Sequence, residues 1–228
     1  MKLRNRWFVV AIMAIAMAWL EAAVVMYLRF FIDRIDPYHV DPLPLIAELG
    51  EIELVREVAT LVMLFCVGWL AGRERFSRLG YFLIAFGLWD IFYYAFLRVM
   101  GGWPETILDW DILFLLPLPW WGPVLAPVLI SLLMIVFGSL LSTAEGRLTR
   151  LTWWSWLAVI VGVFLALAAF MQEALKALPA SIETIRSILP VDFNWWLFSL
   201  AIFFFTVPIF EVTLRLRTDR THVPLHDR

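Results

Sequence analysis

The chain has 228 residues, of which 63% are apolar, 16% aromatic and 17% charged, and its net charge is −2. A soluble domain averages roughly 45–50% apolar and about 25% charged residues, so a soluble fold of this length could not hide the surplus. There is no basic footprint for nucleic acid, and the single Cys66 excludes an internal disulfide or a thiolate metal cluster and reads as a structural thiol.

The apolar residues fall into blocks of about 20, the length a helix needs to cross the hydrocarbon core. The first block runs from Trp7 to about Ile32 behind Lys2, Arg4 and Arg6. It is longer than the apolar core of a secretory signal, about 7–15 residues, and is expected to be a retained span. Further spans are predicted over Ile52–Gly72, Leu79–Met100, Val124–Ala144, Trp153–Leu175 and Trp195–Leu214, with a polar tail over 215–228. The expected fold is one all-α membrane domain over 1–228, a polytopic bundle of about six transmembrane helices.

Basic residues set the expected orientation. Lys2, Arg4, Arg6, Arg73, Arg75, Arg78, Arg147, Arg150, Arg215, Arg217, Arg220 and Arg228 fall on one side of this map, against Arg34, Lys176 and Arg186 on the other. That asymmetry predicts cytoplasmic N- and C-termini, and the short basic inner turns suggest a bacterial inner membrane. Tryptophans support the same map. Trp7, Trp69, Trp153, Trp154 and Trp156 sit at predicted inner ends, and Trp103, Trp110, Trp120, Trp121, Trp195 and Trp196 at outer ends, where an apolar ring with one wet N–H belongs.

The predicted outer connections are long and hold most of the prolines. The segment 103–123 is expected to lie along the interface or to re-enter the bilayer: Pro104 can start a helix, the apolar run to Leu116 is too short to span, and Pro117, Pro119 and Pro123 would end it. At the inner turns, Arg75-Phe76-Ser77-Arg78 echoes Arg147-Leu148-Thr149-Arg150, each followed by aromatic residues. Shared topological rules account for the echo without internal duplication.

Ionisable groups inside a span are costly and mark candidate sites. Glu53, Arg56, Glu57 and Thr60 recur at helical spacing, placing two carboxylates beside a guanidinium on one face of span 2. Asp90, Tyr94 and Arg98 form an i, i+4, i+8 ladder on span 3. On span 1, Glu21 adjoins a stripe of Ala14, Ala18 and Ala22, and on span 5 Gly162, Ala166 and Ala169 lead to Glu173; small residues permit close helix contact. The candidate site is therefore an outer-half cluster of Glu21, Glu53, Arg56, Glu57, Asp90, Tyr94, Arg98 and Glu173. Span 4 carries only Ser131, Gly138, Ser139 and Ser142, which read as a packing face. Arg29 is expected to snorkel to the outer surface, and Glu211 to pair with Arg215 one turn on.

The histidines, His39, His222 and His226, all fall outside the spans, which disfavours an in-span haem or zinc site. Pro224 between the last two argues against a helical metal pair. No phosphate loop, zincin pattern or nucleophile elbow is present. A carboxylate-rich site suits protons, hard cations or a cationic ligand. Three readings follow, in order: a non-enzymatic subunit or accessory component of a membrane assembly; a small proton- or cation-coupled transporter or channel using Glu21, Glu57, Asp90 and Glu173; and an intramembrane enzyme acting on a lipid-like substrate, with Glu57 or Asp90 as general acid or base. The lopsided charge map puts the first ahead of the second, because a transport path needs polar groups or broken helices reaching both sides. Expected partners are the bilayer and other membrane subunits or a lipid-like ligand.

Overall fold

The computed structural model describes residues 3–38, 47–114, 120–146, 148, 150–179 and 189–221, without the side chains of 47–51, 53, 114 and 219–221. His39, Arg147, Glu183, Arg186, His222 and His226 lie outside the described residues.

The described residues form seven helices and one β-hairpin: α1 (Leu3–Phe31), α2 (Ala47–Ala71), α3 (Arg75–Gly101), β1 (Trp110–Phe114), β2 (Trp120–Pro123), α4 (Leu125–Thr143), α5 (Trp153–Phe170), α6 (Gln172–Lys176) and α7 (Trp195–Thr221). All but α6 are long and apolar enough to cross a bilayer. Within a span the backbone must satisfy its own hydrogen bonds, so six greasy runs become six helices.

Their ends are set locally. The Glu74 N–H donates to Ser77 Oγ at 3.1 Å at the start of α3, and Gly102, with φ of 74°, ends it in the left-handed conformation that glycine adopts without steric cost. Thr152 accepts from the Ser155 N–H at the start of α5, and Asn194 Oδ1 accepts from the Leu197 N–H at 3.0 Å at the start of α7.

Two boundaries differ from expectation. The predicted fifth span breaks at Met171, where α5 gives way to the short α6, and α7 runs on through Arg215 and Arg217 to Thr221, into the expected tail.

The larger correction concerns 103–123. Trp110–Phe114 and Trp120–Pro123 pair as antiparallel strands, with Asp111 opposite Gly122 and Ile112 opposite Trp121. The apolar run is strand, and Pro104 starts no helix. Strand pairing satisfies the backbone of a segment that the flanking prolines keep from becoming helical. Tyr38 stacks on Trp110 and meets Trp121 edge-on, while its hydroxyl donates to the Pro190 carbonyl at 2.8 Å. The hairpin thus joins the connections at one end of the bundle.

α3 is the central helix, packed on α1, α2 and α4; α7 joins α4 to α5. With no hydrophobic drive between helices in lipid, close backbone approach does the work. At the α3–α4 crossing, a Cβ added to Gly138 would lie 2.4 Å from the Gly80 carbonyl oxygen, and one on Gly80 would lie 2.7 Å from that of Gly138. The expected alanine stripe on α1 is real: Ala14, Ala18 and Ala22 are fully buried. On α5, Gly162, Ala166 and Ala169 likewise lie at a buried interface, with Gly162 against Phe205 of α7.

At the end opposite the hairpin, the start of α1 and the basic turns are tied together. Arg6 donates to the Ala71 carbonyl at 2.9 Å and pairs with Glu145 at 2.5 Å. Glu145 also accepts from the Arg73 N–H and Ser77 Oγ. These hydrogen bonds, Arg6 foremost, hold the Glu145 carboxyl below its ordinary range against the opposing effect of burial. Glu211 pairs with Arg215 at 2.6 Å as expected, and also accepts from the Thr152 N–H and hydroxyl and from Ser155 Oγ, so it fastens α7 to the start of α5.

Candidate functional site

A cavity of about 470 Å³ lies inside the hairpin half of the bundle. Its walls come from α1, α2, α3, α4 and the hairpin, with Phe170 of α5. Most of the lining is apolar or aromatic: Val25, Leu28, Phe86, Trp89, Tyr93, Trp120, Ile130 and Met134 among others. Into it are set four carboxylates, Glu21, Glu57, Asp90 and Asp111, and two guanidiniums, Arg29 and Arg56. Its size suits the head and upper chain of one amphipathic molecule, within the range of roughly 300–1,000 Å³ typical of ligand sites.

Three polar groupings are distinguishable. At the hairpin end, Arg29 pairs with Asp111 at 3.3 Å, and Tyr94 donates its hydroxyl to the other Asp111 oxygen at 3.1 Å. The Arg29 guanidinium lies 4.1 Å from the Trp103 ring centre and also donates to the Ile35 carbonyl at 2.9 Å. Both Arg29 and Asp111 are buried. Burial pushes the Asp111 carboxyl above its ordinary range, opposed by Arg29 and the Tyr94 hydrogen bond.

Deeper in the bundle, Glu21 pairs with Arg56 across the α1–α2 interface and accepts from Thr60 Oγ1 at 3.1 Å. On the α3–α4 side, Asp90 accepts from Ser131 Oγ at 2.8 Å. Ser131 is thus both a packing residue, 2% exposed, and a donor to the site. Among the described residues neither Asp90 nor Glu57 has an arginine or lysine in ion-pair contact. Trp89 adds a buried indole N–H that meets no acceptor among those residues.

The structure therefore brings Glu21, Arg56, Glu57, Asp90 and Tyr94 to one cavity. Two other candidates are elsewhere. Arg98 is exposed and donates to the Gly102 carbonyl at the end of α3, two turns from Asp90. Glu173 pairs with Lys176 at 2.8 Å in α6, and Lys176 and Gln172 hold its carboxyl low. The side chain of Glu53 lies outside the described residues. Arg29 does not snorkel; it turns inward to Asp111, in the segment expected to lie along the interface or re-enter the bilayer. Cys66, expected within the packing, is exposed on α2.

Below the cavity, Val10, Ala14, Met17, Leu64, Tyr81, Ile84 and Ala85 pack into a continuous core. To the side the bundle is less closed. Among the described residues α2 packs on α3 and touches α1, with no comparable packing on α4, α5 or α7. Glu57 of α2 and Met134 of α4 both line the cavity. No group of three or more histidine, cysteine or acidic side chains among the described residues is placed to hold a metal ion. Chemically the arrangement offers acceptors for a cationic or hydrogen-bond-donating group and aromatic faces for its apolar continuation.

Comparison with protein-family models, with curated proteins and with solved structures gave no match, so the site is read from its own geometry.

Proposed function

We propose that the chain is a non-enzymatic component of a membrane assembly, in a bacterial inner membrane with both termini cytoplasmic, whose outer-half cavity holds an amphipathic molecule by its protonated amine or similar donor end. One observation carries this reading: a cavity walled largely by aromatic and aliphatic side chains contains two carboxylates, Asp90 and Glu57, that form no ion pair among the described residues, whereas Glu21 and Asp111 do. A buried acceptor without a cation is stabilised when a ligand supplies one. The weakly packed α2–α4 side favours entry from the bilayer.

A proton- or cation-coupled transporter is the second reading, supported by the same carboxylates. It ranks lower because the core around Tyr81 and Ile84 below the cavity is packed mostly with apolar side chains, and because Glu173 is engaged with Lys176. An enzyme acting on a lipid-like substrate ranks third. It would use Glu57 or Asp90 as acid or base.

Binding of a long-chain alkylammonium and of an alkyl sulfate of equal length, measured on the protein in lipid nanodiscs, tests the proposal. The ammonium should bind more tightly, and Asp90→Asn with Glu57→Gln should weaken it by at least about tenfold, since a charge-assisted hydrogen bond contributes roughly 1.5–3 kcal/mol. Equal binding of the two amphiphiles, or no change in the double variant, would defeat it. Cation flux in liposomes that vanishes in the same variant would favour the transporter.

A further inference from the structure

α2 is seated in the bundle along one stripe and over part of its length. Thr60, Leu64, Gly68 and, just past its end, Gly72 are buried, one turn apart, whereas none of the described side chains from Ile52 to Ala59 is. At Gly68 and Gly72 the backbone lies directly against α3: an added Cβ would fall 2.7 Å from the Phe82 nitrogen and 2.3 Å from the Arg78 nitrogen. Glycine permits that approach, and in lipid such contact is what fastens helices. The half nearer the hairpin reaches α1 through polar groups. Arg56 pairs with Glu21, and Thr60 Oγ1 donates to Glu21 at 3.1 Å. α2 is also the least buried of the six spans.

We infer, building on the amphiphile reading of the cavity, that the hairpin-end half of α2 is a lateral gate, pivoting at Gly68 and Gly72 and latched to α1 through Glu21. The latch and the cavity are one structure, because Glu21, Arg56 and Glu57 all line it. Moving Arg56 and Glu57 outward therefore opens the wall that α2 supplies. The two halves of α2 suit these tasks. Close backbone packing at the pivot resists separation, whereas polar contacts between helices in a bilayer contribute modestly, so a latched state prevails while an open one stays thermally accessible. From Gly68 to Val55 the helix extends about 20 Å, so a tilt of roughly 15° carries Val55 by about 5 Å.

Two spin-label pairs on the full chain in lipid nanodiscs test the gate, with Cys66→Ala removing the native thiol. Val55→Cys with Tyr27→Cys joins α2 to α1 at the hairpin end, and Leu70→Cys with Phe8→Cys joins them at the basic end; all four positions are exposed. Glu21→Ala with Thr60→Val should add a population about 5 Å longer to the first pair and leave the second pair unchanged. Thr60→Ser, which keeps the hydroxyl, should match the native distances. Thr60→Val alone should speed both uptake and release of a fluorescent long-chain alkylammonium roughly threefold, the effect of one interhelical hydrogen bond; loss of a ligand contact would speed release alone. Native distances in the first pair of the Ala–Val variant would overturn the gate, as would both pairs lengthening together or faster release without faster uptake. The distances need no amphiphile, so a first pair that lengthens while alkylammonium fails to bind would defeat the cavity reading and not the gate.

Discussion

Asp111→Asn should destabilise the protein by about 3–5 kcal/mol, the usual cost of removing one partner from a buried ion pair. The size can be worked from the geometry. At a separation of 3.3 Å and an effective dielectric constant of about 20, the attraction of the pair is roughly 5 kcal/mol. The asparagine keeps an oxygen for the Tyr94 hydroxyl, and Arg29 keeps its contacts to Trp103 and to the Ile35 carbonyl. The loss is therefore mostly the charge, with part recovered by relaxation. Thermal unfolding in a mild detergent, followed by tryptophan fluorescence, should show a Tm drop on the order of 10 °C. Arg29→Met with Asp111→Leu should restore much of it, because two apolar side chains leave no charge behind. A cost below about 0.5 kcal/mol, the range of ordinary surface substitutions, would refute the reasoning, as would single-variant costs that simply add in the double variant.

Glu145→Gln should cost about 1.5–3 kcal/mol through its hydrogen bonds to Arg6. Because the folded Glu145 pKa lies below its ordinary 4.5, its contribution is present above that value and lost as pH falls through the folded pKa. Acid unfolding of the native protein and the variant should therefore converge at low pH, and parallel curves would count against this account of the network. Gly138→Leu should destabilise by about 1–3 kcal/mol or more, because the new side chain starts 2.4 Å from the Gly80 carbonyl oxygen. A Gly138→Leu Tm equal to the native value would mean that α3 and α4 do not cross there.

Local rules carried the spans. Run length, basic turns and alanine periodicity placed six helices within a few residues and put Ala14, Ala18 and Ala22 at an interface, because each depends only on neighbours along one helix. The Glu211–Arg215 pair was legible for the same reason. The site was legible in depth but not in azimuth. The i, i+4, i+8 spacing grouped Arg98 with Asp90 and the small-residue spacing led to Glu173, whereas Arg98 turns to the Gly102 carbonyl at the end of α3 and, past the break at Met171, Glu173 pairs with Lys176. Arg29 and Asp111 are separated by 82 positions, and nothing local distinguishes a snorkelling arginine from one that turns inward. A signal for the hairpin was present in Trp110-Asp111-Ile112, where a carboxylate interrupts an apolar run at strand alternation. Glu145 was passed over because it sits in a turn, where a carboxylate is ordinarily solvated; only the fold brings Arg6 to it.

The most direct measurement is a density map of the protein extracted with its native lipids and bound to a rigid antibody fragment. The account expects elongated density between Trp89, Tyr93 and Trp120, ending within hydrogen-bond distance of Asp90 or Glu57. Asp90 and Glu57 facing acyl chains on separate surfaces, or a hairpin half collapsed onto its own side chains, would contradict it.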